Sequence, residues 1–106
     1  MTAHPKPPAH LSPEAAAWWS SVVAGWDLDA HHRHILTAAA EQLDVRRLAQ
    51  EAVAQDGAVV RDRWNQAKPH PGAAIQRDAA LTFARLVREL GLDLPAPEGP
   101  RPPRLR

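Results

Sequence analysis

From Ala30 to Asp56 the chain reads "AHHRHILTAAAEQLDVRRLAQEAVAQD", with neither Gly nor Pro, and then meets Gly57. Nothing in this run interrupts a helix, and Asp27 or Asp29 can cap its start. The spacing predicts one helix of roughly 27 residues, about 40 Å long at the usual rise. Its main apolar stripe holds Ile35, Leu36, Ala39, Ala40, Leu43, Val53 and Ala54, while Val45, Leu48 and Ala52 lie on nearly the opposite side. A helix that is apolar on two faces must bury both. The rest of so short a chain cannot cover both along 40 Å, so this helix calls for a partner subunit.

The flanking segments supply two further helices. Ser12-Pro13-Glu14 combines a capping hydroxyl, a proline suited to the first helical position and an acid at the positive end of the dipole. The first helix is expected to run from there to about Ala24, with Trp18, Trp19, Val22 and Val23 on one face. Gly25 ends it, and Trp26 packs back near that face. The last helix is expected from Pro71 or Gly72 to just before Gly91, with Ile75, Ala79, Phe83, Leu86, Val87 and Leu90 as its stripe. Between the second and third helices, Ala58–Arg61 and Arg63–Gln66 are read as two very short strands. The expected fold is therefore all-α: three helices, a long central one, and at most a minimal β-hairpin. Residues 12–92 form the helical domain. Residues 1–11, rich in Pro and His, are read as a disordered arm, and residues 93–106 as a flexible Pro/Arg-rich tail.

Composition narrows the function classes. The 106 residues include no Cys, which excludes disulfides and thiolate metal sites and fits a reducing compartment. The N-terminus lacks the apolar core of a signal peptide, and no apolar run approaches a membrane span. Thirteen basic and twelve acidic residues give a net charge of +1, so any DNA contact has to come from a local patch. No phosphate-binding P-loop, nucleophile elbow or H-E-x-x-H motif is present, and no catalytic residue or cofactor is assigned. Glu41, Asp44, Glu51 and Asp56 read as solvated charges of the long helix. His31 and His34 are spaced to share an ion, but no third ligand matches. They and His32 are read as solvated side chains, with no metal site.

Three stretches, in this order, resemble the small terminase subunits of tailed phages, specifically the P27-like family. They are "PPAHLSPEAAAWW", the long helix with its stop in "LDAHHRHILTAAAEQLDVRRLAQEAVAQDGAVV", and "KPHPGAAIQRDAALTFARLVRELGL". Together they span about Pro7 to Leu92. Departures from the family pattern are His32 in the first turn of the long helix, Ala38 to Ala40 in place of aromatic residues, and the tail "DLPAPEGPRPPRLR". The resemblance implies a non-catalytic subunit that assembles with itself into a ring. It implies recognition of double-stranded viral DNA at the packaging start, and engagement of the large terminase subunit, which holds the ATPase and nuclease. The implied setting is the host bacterial cytoplasm. A small regulatory or protein-interaction module, such as an antitoxin-like dimer, is the alternative.

Within that frame the cations Arg33, Arg46, Arg47, Arg61, Arg63 and Lys68 are the DNA candidates, since arginine and lysine meet phosphates. The competing role for Arg46 and Arg47 is pairing with Asp44 or Glu51, or a place at a subunit interface. Trp64, in a polar stretch, either anchors a neighbouring or large subunit or covers the hairpin. Arg101, Arg104 and Arg106 make the tail a candidate docking segment for the large subunit. In "KPHP" both Lys68 and His70 precede prolines and are biased to extended backbone. The result is either a stiff elbow that fixes the angle to the last helix, as a closed ring requires, or an ordinary helix start.

Overall fold

A computed structural model describes residues 5–92. Three helices follow the order expected. Helix α1 spans Pro13–Gly25, α2 spans Ala30–Asp56 and α3 spans Pro71–Leu90, with strands β1 (Val59–Arg61) and β2 (Ala67–Pro69) between the last two. Each helix starts where a side chain takes over an orphan N–H. Ser12 accepts from the Ala15 N–H and Asp29 from the His32 N–H. Gly57 closes α2 at φ 89° and Gly91 closes α3 at φ 75°, backbone that a side chain would strain.

Both α1 and α3 run antiparallel to α2. Ser12 at the start of α1 meets Asp44, while Trp19 further along donates its indole N–H to Thr37 at 3.1 Å. The start of α3 sits against Ala49 and Val53, and Leu90 at its end reaches the core cluster. The two outer helices touch through Trp18 and Phe83, whose ring centroids are 5.1 Å apart. The core therefore lies beside the N-terminal half of α2, where Leu11, Ala15, Trp19, Val22, Val23, Leu36 and Ala40 bury one another. Leu36 is 0% exposed, and burying such a side chain stabilises by about 1.5–3 kcal/mol. Leu11, which the sequence reading leaves in the arm, belongs to this core.

Ser12 also fastens the arm to α2. Its N–H donates to Asp44 Oδ2 at 2.9 Å and its hydroxyl donates to Asp44 Oδ1. His10 adds a 2.7 Å contact from Nε2 to Glu41. Burial alone would raise the Asp44 carboxyl. The hydroxyl and N–H of Ser12, with smaller help from Arg47 and His10, outweigh it and hold the carboxyl below its ordinary value.

The second strand differs from expectation. It lies at Ala67–Pro69, in place of Arg63–Gln66, because Asp62 organises residues 62–66 into a turn. The antiparallel register is Val59 with Pro69, Val60 with Lys68 and Arg61 with Ala67. Lys68 is extended in β2, and His70, at φ −62° and ψ 132°, is the N-cap of α3. Both pre-proline residues are thus extended, and the elbow doubles as the helix start.

Candidate nucleic-acid interface

The six cations picked out by sequence fall into three places. Arg33 stands near the start of α2, 23 positions before Asp56, or about 35 Å along the helix. It shares a cleft of about 330 Å³ with Lys6, His34, Thr37 and Trp19. Arg46 and Arg47 line a second cleft with Glu14 and Asp44, so carboxylates offset their charge. Arg47 is further engaged, at 3.8 Å from Asp44 and 3.1 Å from Glu51, while Arg46 is exposed and makes no ion pair among the described residues. Arg61, Arg63 and Lys68 come together on the β-hairpin. A single subunit therefore cannot bring Arg33 and the hairpin onto the same phosphate.

The hairpin turn is fixed by its own hydrogen bonds. Asp62 Oδ1 accepts from the N–H groups of Trp64 (2.8 Å) and Gln66 (3.0 Å). The Asp62 carbonyl accepts the Asn65 N–H at 2.9 Å, and the Asp62 N–H donates to the Gln66 carbonyl at 3.0 Å. Asn65 takes φ 62°, the left-handed region an Asn side chain tolerates. Arg61 donates to the Asn65 carbonyl at 3.0 Å. The Arg63 guanidinium lies 4.6 Å from the centroid of the Trp64 ring, a cation–π contact. Trp64 itself is 68% exposed. The turn thus presents an indole and a guanidinium on stiff backbone, with the acid of the segment turned inward to hold it.

The base of the hairpin is anchored by His70. Its Nδ1 accepts the Gly72 N–H at 2.8 Å, so Nε2 carries the proton that faces Asp56 at 2.9 Å. One imidazole thereby ties the end of α2 to the start of α3. Next to it, a Cβ on Gly72 would meet Val53 at 2.9 Å and the Ala49 carbonyl at 3.1 Å. Glycine lets the two helices approach there, which explains why Ala49, on neither predicted stripe, is buried.

The histidines of α2 separate. His31 and His34 are exposed, and His32 Nδ1 lies 2.9 Å from Asp29. The hydrogen bond from the His32 backbone N–H is the largest influence on the Asp29 carboxyl and, with smaller help from the His32 and His31 charges, outweighs desolvation and lowers it. Among the described residues no three His, Cys, Asp or Glu side chains converge as a metal site, and no helix is long and apolar enough to cross a membrane.

Apolar side chains are also exposed on α2 and α3. Leu48 is 58% exposed and Val45 is exposed beside it on α2; Leu81 is 63% exposed on the outer side of α3, and Ile75 is exposed near its start. Of the second stripe read from the sequence of α2, Val45 and Leu48 are thus exposed and Ala52 is half-buried. Arg101, Arg104 and Arg106 lie outside the described residues.

Sequence reasoning missed Asp62, Lys6 and the capping role of His70. An Asp two residues before Trp64 and three before Asn65 is a readable turn signal. The Ser12–Asp44 contact spans 32 positions and leaves no local trace. A family model described as phage terminase, small subunit, matches residues 15–97. No curated protein and no solved structure gives a significant match.

Proposed function

The chain belongs to the phage terminase small-subunit family, and from that premise we propose that it recognises viral DNA at the packaging start and recruits the large subunit. In this reading the chain supplies no catalytic group. ATP hydrolysis and DNA cleavage reside in the large subunit, and this subunit sets where and when they act. It does so as a homo-oligomeric ring, working in the cytoplasm of the infected host.

The observation that carries the reading is the uncovered second face of α2. Val45 and Leu48 are exposed on a helix whose buried residues are Leu36, Ala39, Ala40 and Ala49, and association with a further copy would cover them. Repetition of the subunit multiplies the hairpin cations, so a net charge of +1 per chain still yields a dense local positive patch. Arg33, on the far end of α2, then contributes from a neighbouring copy.

The test is binding of the full chain to DNA from the packaging-start region of its own genome, against unrelated DNA of equal length, with and without the large subunit. Preference of about 10-fold or more for the cognate DNA, and a complex containing both subunits, is expected. Equal affinity for both DNAs without a two-subunit complex would overturn the proposal.

A further inference from the structure

We propose that the tip of the β-hairpin is a base-stacking wedge: Trp64 lays its open ring face against a nucleobase exposed at an unpaired or kinked step, while Arg61, Arg63 and Lys68 hold the adjacent phosphates. This rests on the DNA-binding reading above and goes beyond it by naming the element, the atoms and the form of DNA.

Four observations converge. First, Trp64 is 68% exposed, and its ring does no packing work for the hairpin, which is held by Asp62 and the strand ladder. The indole is therefore available to a planar partner. Second, one ring face carries the Arg63 guanidinium. That leaves the opposite face for a planar partner and places a positive charge beside it, the pairing of aromatic and cation that single-stranded DNA sites use. Third, the turn is rigid. Asp62 accepts two backbone N–H groups, Arg61 braces the Asn65 carbonyl, and His70 locks the hairpin base to both helices. A wedge has to be stiff, because ordering a loose loop would consume the stacking energy. Fourth, the available charge is of one sign and lies on both faces. Lys68 sits across from Val60 on one face of the ladder and Arg61 with Ala67 on the other, so phosphates on either side of an inserted ring meet a cation. The one carboxylate of the segment, Asp62, is occupied internally. An acidic or apolar protein pocket could seat an indole, but cations on both faces of the ladder match a polyanion that passes on both sides.

The experiment uses the full-length oligomer and two duplexes of the same sequence, one fully paired and one with a central bulge. Wild type is expected to favour the bulged duplex. Trp64→Ala is expected to lose roughly 10- to 100-fold in affinity for it and to bind the paired duplex almost as before. Trp64→Phe retains a stacking ring and is expected to keep most of the preference, with circular dichroism unchanged in both variants. Lys68→Ala is expected to weaken binding to both duplexes and to lower the salt slope by about 0.9. If wild type binds with no preference for the bulge, or if Trp64→Ala binds it like wild type, the wedge is overturned while DNA binding stands. If Trp64→Ala leaves DNA binding intact and abolishes the complex with the large subunit, the tip is a protein-docking element and the wedge is likewise overturned. If wild type binds neither duplex nor its cognate DNA, the DNA-binding reading fails and the wedge with it.

Discussion

The two halves of α2 are built from the same kind of helix and finished in opposite ways. Its N-terminal half is closed by large side chains from elsewhere in the chain: Leu11, Trp19, Val22 and Val23 cover Leu36 and Ala40. Its C-terminal half, beyond Asp44, is closed on one side only, by small residues that let α3 approach, namely Ala49, Gly72 and Ala79. Val45 and Leu48 stay exposed there, as do Ile75 and Leu81 on α3 and Trp64 at the hairpin tip. The first half is closed by the chain itself, and the second leaves apolar side chains uncovered.

That division predicts where substitutions act. Leu36→Ala should cost about 2–5 kcal/mol in urea unfolding of the subunit, because it opens a cavity in the closed half. Leu48→Ser should cost less than about 0.5 kcal/mol in the same measurement and should instead weaken association, seen by sedimentation as a shift to smaller species. Equal effects on unfolding would erase the distinction between the halves. Gly72→Ala should destabilise by about 1–3 kcal/mol, since the added methyl meets stiff Val53 and a backbone carbonyl. A neutral result would mean that α3 can shift without loss, and that the close approach to Ala49 is incidental.

Ser12→Ala should cost about 1–2 kcal/mol at neutral pH by removing a helix cap and one hydrogen bond to Asp44. Asp44 titrates below its ordinary value in the folded chain. Its contribution is therefore complete above the unfolded carboxylate value near pH 4 and is lost as pH falls through the folded value. The stability gap between wild type and Ser12→Ala should narrow below about pH 4, and a gap constant with pH would contradict the pairing. The smallest effect is expected for Arg47→Ala. Its ion pair with Glu51 lies one helical turn away on a partly exposed face, and about 0.3–0.5 kcal/mol is typical.

The same contrast explains what could be read from the sequence. The helices were legible because each carries its own punctuation: Ser12-Pro13 and Asp29 at starts, Gly57 and Gly91 at ends. The two-faced character of α2 was legible as a spacing, and Val45 and Leu48 are exposed where it puts them, but Ala52 is half-buried and Ala54 of the main stripe is exposed. The hairpin was legible only as a tendency. Its second strand falls at Ala67–Pro69 because one carboxylate, Asp62, captures the N–H groups of Trp64 and Gln66, a local competition that strand propensity does not register. The seating of Leu11 in the core depends on Asp44, 32 positions from Ser12, and pairings at that range lie outside any window of the chain. The cations were legible as residues but not as groups. Only the fold shows that Arg61, Arg63 and Lys68 stand together, that Arg33 lies at the other end of a 27-residue helix, and that Arg47 is already engaged by carboxylates.

The central claim is that the exposed face of α2 is a surface between copies of the subunit. Native mass spectrometry of the full-length protein at near-physiological salt, beside a Val45→Ser, Leu48→Ser double variant, tests it most directly. The account predicts a single closed oligomer of more than two copies for wild type and a shift to monomer for the variant, with helical content unchanged. Wild type that remains monomeric or dimeric at every accessible concentration, or a variant that assembles like wild type, would contradict it.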